Sequence, residues 1–340
     1  MTADILSWPD DGLETLGACP ICGAAERETL HDQLRDWLFP SPHFAWTLHR
    51  CCACRLAYLD PRPTEDSIHL AYAAYHTHTA EDGDDPLHRG SGLQRLKNIL
   101  TRQYLASRHD RRRMLRAPVA WPIRLHPRWR YEMDATIRFL PQPLPGSTLL
   151  DIGCGNGRFM AWARAAGWRC VGTEVDEAAA ERARLRGFQV HCEQDRALDE
   201  GPFDAVTISH VIEHVHDPRL MLRFARRALK PGGFFFIDTP NVDARGHARF
   251  GPYWRGLEPP RHLQLFHPAL LTKLLREEGF EQVHPAPGSM RILVRESLAI
   301  ASAAGADASE WRLLGHGGAL HGVVGNSAQE EFITLLASRS

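Results

Sequence analysis

The 340-residue sequence lacks long hydrophobic runs and any marked excess of charge of one sign. No run of about eighteen apolar residues occurs, which argues against a transmembrane helix. The formal net charge is −1, so the chain as a whole is not a polyanion-binding protein, although local charge clusters still matter. Residues 1–11 are acidic and lack the pattern of a secretory signal peptide. We therefore expect a cytoplasmic protein, whose cysteines are kept reduced.

The composition is that of a globular protein able to build a hydrophobic core, with 44% apolar and 24% charged residues. The chain is longer than a usual single domain, so we predict three parts. These are a zinc-ribbon-like domain over 1–62, a helical and arginine-rich linker over 63–140, and an α/β domain over 141–340. The last of these carries an insertion at about 295–326, rich in alanine and glycine.

A buried strand, a glycine-rich turn and a helix follow one another near the middle of the chain. Asp151 lies at the end of the strand, and Gly153, Gly155 and Gly157 recur at every second position. Glycine permits positive φ angles and close approach of a ligand, and the following helix offers free N–H groups. Glu174 ends the next strand, where a carboxylate can accept both ribose hydroxyls of an adenosine-containing cofactor.

The residues around the turn indicate which adenosine cofactor is bound. Arg158 stands where dinucleotide sites have their third glycine, and Asp151 suits a cofactor with a cationic amino group and a sulfonium. In these features the sequence resembles the class I S-adenosylmethionine-dependent methyltransferases, over residues from about 146 to 285. Their first motif matches Asp151-x-Gly153-x-Gly155, and their ribose-binding acid matches Glu174. The resemblance implies a Rossmann-like seven-stranded sheet with its last strand antiparallel, and S-adenosylmethionine as cofactor.

The same resemblance implies further residues at the carboxyl ends of the strands. Asp195, after the third strand, corresponds to the acid that holds the adenine amine, although a loop acid without a partner is the alternative. His210, after the fourth strand, falls in the motif that touches cofactor and substrate. His214 is a candidate general base because the ordinary histidine pKa of about 6.5 suits proton transfer. A capping or packing role is its alternative. On a helix His210 and His214 would share one face, but no third metal ligand is apparent.

An aromatic and basic loop over 253–267 is the predicted acceptor side of the site. Its Arg-His-Leu-x-x-Phe phrase resembles the substrate loop of ubiquinone-type and sugar C-methylating relatives, several of which use a histidine there as base. The resemblance makes His262 the first candidate base, with a satisfied loop histidine as the alternative. Arg261 is the candidate anion holder. Trp254 and Asn241, on the same rim, are candidate substrate contacts.

Two pairs of cysteines predict a structural zinc site near the N-terminus. Cys19 and Cys22 have a two-residue gap, as do Cys51 and Cys54, which lets both thiolates of each turn face one metal ion. Four sulfur ligands close a tetrahedral sphere, so this zinc would not be catalytic. Cys52 is left over and could replace one ligand. Free core cysteines are the alternative.

Arginines are frequent between residues 93 and 131, where Asp110 is the one nearby acid. The segment contains Arg102, Arg108, Arg111, Arg112, Arg113, Arg116, Arg124, Arg128 and Arg130. Such a segment can bind phosphate groups, nucleic acid or an anionic membrane surface, or can be a solvated helix face.

Together these features predict transfer of a methyl group to a carbon or hydroxyl of a small-molecule, anionic acceptor, such as a sugar phosphate or lipid-linked precursor. The alternative is an RNA-modifying methyltransferase that grips phosphates through the ribbon and the arginine segment. Against it, the fourth strand runs into Ser209-His210-Val211-Ile212 and not into the Asn/Asp-Pro-Pro-aromatic turn that usually meets base amino groups.

Overall fold

The computed structural model describes residues 7–37, 39, 41–42, 44–72, 92–107, 125, 127–286, 291–306 and 329–340. Residues 108–124 of the arginine-rich segment and residues 307–326 of the predicted insertion lie outside the described residues. Arg102 and Arg130 are described and exposed. No helix within the described ranges is long and apolar enough to cross a membrane.

The N-terminal part contains short antiparallel strands around the predicted zinc site, and we refer to residues 7–63 as the ribbon. Its strands are β1 (Leu13–Glu14), β2 (Arg27–Leu34), β3 (Trp46–Cys51), β4 (Ala57–Leu59) and β5 (Arg62–Pro63). Strands β2, β3 and β4 form a meander, while β1 pairs with β5. Both cysteine pairs fall at turns of this framework.

The central sheet confirms the predicted α/β class. Its strands are β6 (Thr148–Ile152), β7 (Arg169–Thr173), β8 (Gln189–His191), β9 (Phe203–Ser209), β10 (Leu229–Pro240), β12 (Phe280–Pro285) and β13 (Phe332–Arg339). Their spatial order is β12-β13-β10-β9-β6-β7-β8. Strand β13 runs antiparallel to both of its neighbours, as predicted for the last strand, and the ladders from β10 to β8 are parallel.

Helices precede, connect and follow these strands. They are α1 (Gly92–Ser107), α2 (Pro127–Thr136), α3 (Arg158–Ala165), α4 (Glu177–Leu185), α5 (Pro218–Ala228), α6 (Arg245–Phe250), α7 (Pro268–Glu277) and α8 (Arg291–Ala303). Short 3-10 helices span Asp10–Gly12, Ile68–Tyr72, Gln194–Glu200 and Gly251–Tyr253. The starts of two helices follow from local sequence. Asp176 accepts hydrogen bonds from the N–H groups of Ala178 and Ala179, and Asp217 caps the helix that has a proline in its first turn.

The hydrophobic core of the sheet continues into the ribbon. Successive residues of β6, such as Leu149 and Leu150, enter two different buried clusters, because neighbouring side chains of a strand point to opposite faces of the sheet. One of these clusters also contains Cys51 and Tyr58 of the ribbon, packed with Phe266. The ribbon therefore shares a core with the α/β domain, and the division into three domains stays a prediction.

Candidate active site

The glycine turn between β6 and α3 requires glycine at each of its three positions. Gly153, Gly155 and Gly157 have φ angles of 69°, 53° and 79°, which side-chain-bearing residues rarely adopt. A β-carbon on Gly153 would also collide with the side chain of Val211. The segment after β9 thus lies directly over the turn, as ligand sites at strand ends require.

Glu174 lies beside this turn at the end of β7. Its Oε2 accepts a hydrogen bond from the Gly155 N–H at 2.7 Å, and its Oε1 accepts one from the Asp176 N–H at 3.0 Å. A carboxylate held next to a glycine turn is the arrangement that receives the ribose of an adenosine cofactor. The residues present therefore fit S-adenosylmethionine. The predicted adenine contact, Asp195, is exposed in the first turn of the 3-10 helix Gln194–Glu200, which follows β8.

Asp151 is completely buried next to an arginine that the sequence did not single out. The Asp151 Oδ1 accepts hydrogen bonds from the Arg138 guanidinium and, at 2.8 Å, from the Thr207 hydroxyl. Its Oδ2 is buried and accepts none from the described residues. Burial raises the pKa of Asp151 although Arg138 opposes the shift. The Arg138 guanidinium also lies 3.7 Å from the centroid of the Phe159 ring. The Asp151 carboxylate has the charge that the amino group of an amino acid requires, and the Arg138 guanidinium has the charge that its carboxylate requires.

His210 and His214 do not lie on a helix, so the interpretation that their four-residue spacing puts both on one helix face was wrong. Residues 210–214 form a turn, His210 has a φ of 55°, and the helix begins only at Pro218. The His210 ring is half-exposed, with Nδ1 3.3 Å from Glu213 Oε1 and Nε2 3.5 Å from Asp238 Oδ2. Its position beside the segment that covers the glycine turn keeps it next to the predicted cofactor site.

Three titratable side chains, Glu213, His214 and His262, come together at this rim. Glu213 is buried; its Oε2 accepts a hydrogen bond from the Thr239 hydroxyl at 2.9 Å, and its Oε1 accepts none from the described residues. Burial would raise the pKa of Glu213, but the neighbouring imidazoles outweigh it and lower that pKa to about 2. One ligand atom from each of the three residues lies within 4.8 Å of the others, close enough to hold a metal ion. His210 does not belong to this cluster.

Each of the two histidines directs Nδ1 at a backbone carbonyl. The His214 Nδ1 lies 3.0 Å from the carbonyl oxygen of Arg261, with the Tyr72 hydroxyl at 3.2 Å. The His262 Nδ1 lies 2.8 Å from the carbonyl oxygen of Gly256. Their rings meet edge to face with centroids 4.7 Å apart. Donation from Nδ1 to a carbonyl leaves the Nε2 of each ring with a free lone pair.

The two histidines differ in exposure. His262 is only 5% exposed, and burial lowers its pKa to about 4, so its ring is neutral near pH 7. Glu258 opposes this shift because its Oε2 lies 3.6 Å from the His262 Nε2. His214 is partly accessible. An acceptor molecule can therefore reach His214 more easily than His262.

The three predicted substrate contacts are buried and bonded within the protein. The Arg261 guanidinium is fully buried between the carboxylates of Asp36 and Glu258, so an anionic acceptor would have to displace one of them. The Trp254 indole donates to Glu331 Oε2 at 2.7 Å. The Asn241 amide donates to the carbonyl of residue 330 at 2.8 Å. These contacts hold the loop together and leave no free polar edge that points at an acceptor.

The four predicted zinc ligands converge in the ribbon. Cys19 and Cys54 have their Sγ atoms 3.5 Å apart, as do Cys22 and Cys51. Sulfurs bound tetrahedrally at about 2.3 Å from zinc lie about 3.8 Å from one another, so the group fits this metal. Cys52 is exposed and outside the group.

The ribbon also takes a strand from the acceptor loop, a feature without a clear signal in the sequence. Strand β11 (Gln264–Leu265) pairs antiparallel with β4, and the Leu59 N–H donates to the carbonyl of Leu263 at 3.0 Å. A two-residue strand has too short a pattern to be recognised from sequence.

Comparison with known proteins gives the family. A family model described as a methyltransferase domain matches residues 124–285. The ubiquinone biosynthesis O-methyltransferase of Thiobacillus denitrificans is 32% identical over 154 residues, which are 41% of this chain and 66% of that protein. Its counterpart in Caulobacter vibrioides is 37% identical over 121 residues, which are 33% of this chain and 47% of that protein. The chain thus spans about half to two thirds of the length of these relatives.

A solved S-adenosylmethionine-dependent methyltransferase from Archaeoglobus fulgidus is 19% identical, and the match covers 62% of this chain and 94% of that one. Its TM-score of 0.43 is too low to add to the assignment. The order of the strands in the sheet and the match to the family model assign the family. Because residues 124–285 include the glycine turn, Glu174 and the histidine cluster at one edge of that sheet, the chain belongs to the class I S-adenosylmethionine-dependent methyltransferases.

Proposed function

We propose that the protein transfers a methyl group from S-adenosylmethionine to a hydroxyl or carbon of a small-molecule acceptor. The observation that carries the proposal is a partly accessible histidine, His214, whose Nδ1 faces a carbonyl and whose Nε2 is free to take a proton. It lies on the segment that covers the glycine turn. A base placed beside a methyl donor is what such a transfer needs.

The cofactor supplies an electrophilic methyl group on a positively charged sulfur. Glu174 would accept the ribose hydroxyls beside the glycine turn, and Asp195 the adenine amine. Asp151 and Arg138 would pair with the amino and carboxylate groups of the methionine part. His210 would flank the cofactor from the segment after β9.

The acceptor side works by removing one proton. The Nε2 of His214 would take the proton of the acceptor hydroxyl or carbon acid, which frees the acceptor's electron pair to bond the methyl carbon. The methyl donor, when bound, would supply that carbon and keep the electrons of its carbon–sulfur bond on sulfur. The Glu213 carboxylate stabilises the imidazolium that forms, and neutral His262 is the second candidate base.

The acceptor class is proposed from three observations. The relatives from Thiobacillus denitrificans and Caulobacter vibrioides carry the name O-methyltransferase of ubiquinone biosynthesis, which favours a hydroxyl-bearing acceptor. The arginine-rich sequence over 93–131 favours an anionic one and allows peripheral contact with an anionic membrane or lipid-linked substrate. The turn at Ser209-His210 disfavours nucleic acid. A cytoplasmic location stays an expectation.

We also propose that Cys19, Cys22, Cys51 and Cys54 hold a structural zinc ion. Support comes from the convergence of all four sulfurs, whose spacing fits tetrahedral zinc.

Replacement of His214 tests the proposal. Turnover is measured as formation of adenosylhomocysteine with a panel of catechols, phenols and sugar phosphates. His214→Ala should lower kcat at least about a hundredfold, the usual contribution of a general base, and leave the Kd of S-adenosylmethionine within about twofold. His284→Ala is the control, because that histidine is exposed on β12. Wild-type turnover in His214→Ala would contradict the proposed base.

A further inference from the structure

Asp36 connects the ribbon to the histidine cluster through one buried arginine. The Arg261 Nη2 bonds the Asp36 carboxylate, its Nε donates to Glu258 Oε1 at 2.9 Å, and its Nη1 donates to the carbonyl of Ala71 at 2.9 Å. Asp36 and Glu258 have side chains only 4% and 6% exposed. The guanidinium also lies 4.9 Å from the Phe39 ring, so the ribbon contacts it on two sides.

Opposite charges adjoin one another in this group. Glu258 pairs with both Arg255 and Arg261, Arg261 pairs also with Asp36, and Arg255 pairs also with Glu296. Removing one member of a buried ion pair leaves the others uncompensated, which forces the remaining groups to move or to take up water. Loss of the Asp36 charge would therefore be felt at Arg261 and Glu258.

The backbone of Arg261 is what holds the two histidines. Its carbonyl oxygen accepts from the His214 Nδ1, and its next residue is His262, whose N–H donates to the carbonyl of Glu258 at 3.1 Å. A displacement of the Arg261 backbone would therefore weaken the bond that fixes the His214 ring and would shift the neighbouring His262. On the other side of His262, Leu263 is bonded to the ribbon strand β4.

We propose that Asp36 is a positioning residue for His214 and His262, and that the ribbon thereby orders the acceptor side of the active site. The catalytic meaning of this inference rests on the proposed function. The geometric claim does not, because the hydrogen bond between the His214 Nδ1–H and the Arg261 carbonyl can be observed without turnover.

Nitrogen-resolved NMR of histidine-labelled protein tests the geometry. Wild-type protein should show slowly exchanging imidazole N–H signals for His214 and His262, because both Nδ1 atoms face backbone carbonyls. Asp36→Asn should remove the His214 signal, whereas Asp36→Glu should retain it. The matched control is Asp60→Asn, which removes an equally buried ribbon carboxylate that pairs with Arg27 and not with the loop.

A persistent His214 signal in Asp36→Asn would overturn the inference, as would loss of the signal in Asp60→Asn to the same extent. Where Asp36→Asn does not fold, Arg261→Lys replaces it, because lysine keeps the charge but cannot form the forked set of three bonds. Loss of the His214 signal in folded Arg261→Lys supports the inference, and retention overturns it.

Kinetics give the second readout. Asp36→Asn should lower kcat at least about tenfold while the Kd of S-adenosylmethionine stays within about twofold, since the cofactor residues lie on other elements. Asp36→Glu should restore most of kcat. Equal losses of cofactor affinity and kcat would mean general destabilisation and would refute the positioning role. If the wild-type protein shows the imidazole signals but methylates no acceptor, the proposed function is contradicted. The positioning role of Asp36 is then tested by the NMR signals of the variants alone.

Discussion

Replacement of Glu174 by alanine separates the cofactor assignment from every other part of the site. The carboxylate directly follows β7 beside the glycine turn, and its two oxygens accept hydrogen bonds from the N–H groups of Gly155 and Asp176 at 2.7 and 3.0 Å. Glu174→Ala removes both oxygens and keeps the backbone of the turn. The predicted loss is therefore confined to the ribose.

The expected magnitude follows from exchange of hydrogen bonds. A hydrogen bond to a charged group contributes about 1.5–3 kcal/mol, and two ribose hydroxyls can donate to Glu174. Part of this gain is cancelled, because bonds that the carboxylate already makes to backbone N–H groups weaken when the ribose arrives. A net loss of about 2 kcal/mol remains, which corresponds to about thirtyfold weaker binding.

Calorimetric titration with S-adenosylmethionine and adenosylhomocysteine measures this loss. Glu174→Gln keeps the shape without the charge and should fall between wild type and Glu174→Ala. Glu181→Ala is the matched control, because this exposed glutamate lies on the following helix away from the turn. Affinity of Glu174→Ala within twofold of wild type would refute the assignment, as would equally tight binding of a nicotinamide dinucleotide to the wild-type protein.

Three further predictions concern the zinc site, the second histidine and the response to acid. Metal analysis of purified protein should find about one zinc ion per chain, and Cys51→Ser should lose it together with ribbon stability; a stably folded, metal-free wild type would rule the site out. His262→Ala should lower turnover with unchanged cofactor affinity, and full retention would leave the role to His214. Folding lowers the pKa of His262 from 6.5 to about 4 and the pKa of Glu213 from 4.5 to about 2. The unfolded chain therefore binds more protons than the folded protein once the pH falls below these ordinary pKa values. Stability should therefore fall as pH drops from about 6.5 toward 2. Urea midpoints measured across this range check it, and His262→Gln should flatten the portion between pH 6.5 and 4.

The geometry of the glycine turn and of Glu174, the proposed cofactor half of the site, could be predicted from sequence because it is local. Strand, glycine turn and helix follow one another without interruption, and Glu174 ends the very next strand. Positive φ angles at the three glycines are indicated by the residue type itself, because glycine adopts them readily. Asp151 was placed correctly at the strand end, but its partner Arg138 was missed, since an arginine between two apolar residues has no distinguishing pattern.

The acceptor half could not be predicted in the same way because its contacts join distant parts of the chain. Arg261 was predicted as an anion holder in a basic loop, and its guanidinium is in fact buried against the carboxylate of Asp36, 225 positions earlier. No spacing rule connects these residues, and only the folded ribbon brings them together. The spacing of His210 and His214 misled for a related reason. Their four-residue interval matches a helix, but the helix starts after Asp217, whose side chain caps it.

These two halves depend on different parts of the chain for their order. The glycine turn and Glu174 are held by parallel ladders among β6, β7 and β9, to which the ribbon adds hydrophobic packing but no paired strand. His262 lies between two attachments to the ribbon, the Arg261–Asp36 ion pair before it and the β11–β4 ladder after it. Strand β4 pairs in turn with β3, which ends in the zinc ligand Cys51. Disorder in the ribbon should therefore reach the histidines through covalent and hydrogen-bonded neighbours while the cofactor cradle keeps its shape. A protein that has lost its ribbon order would bind S-adenosylmethionine and fail to transfer its methyl group.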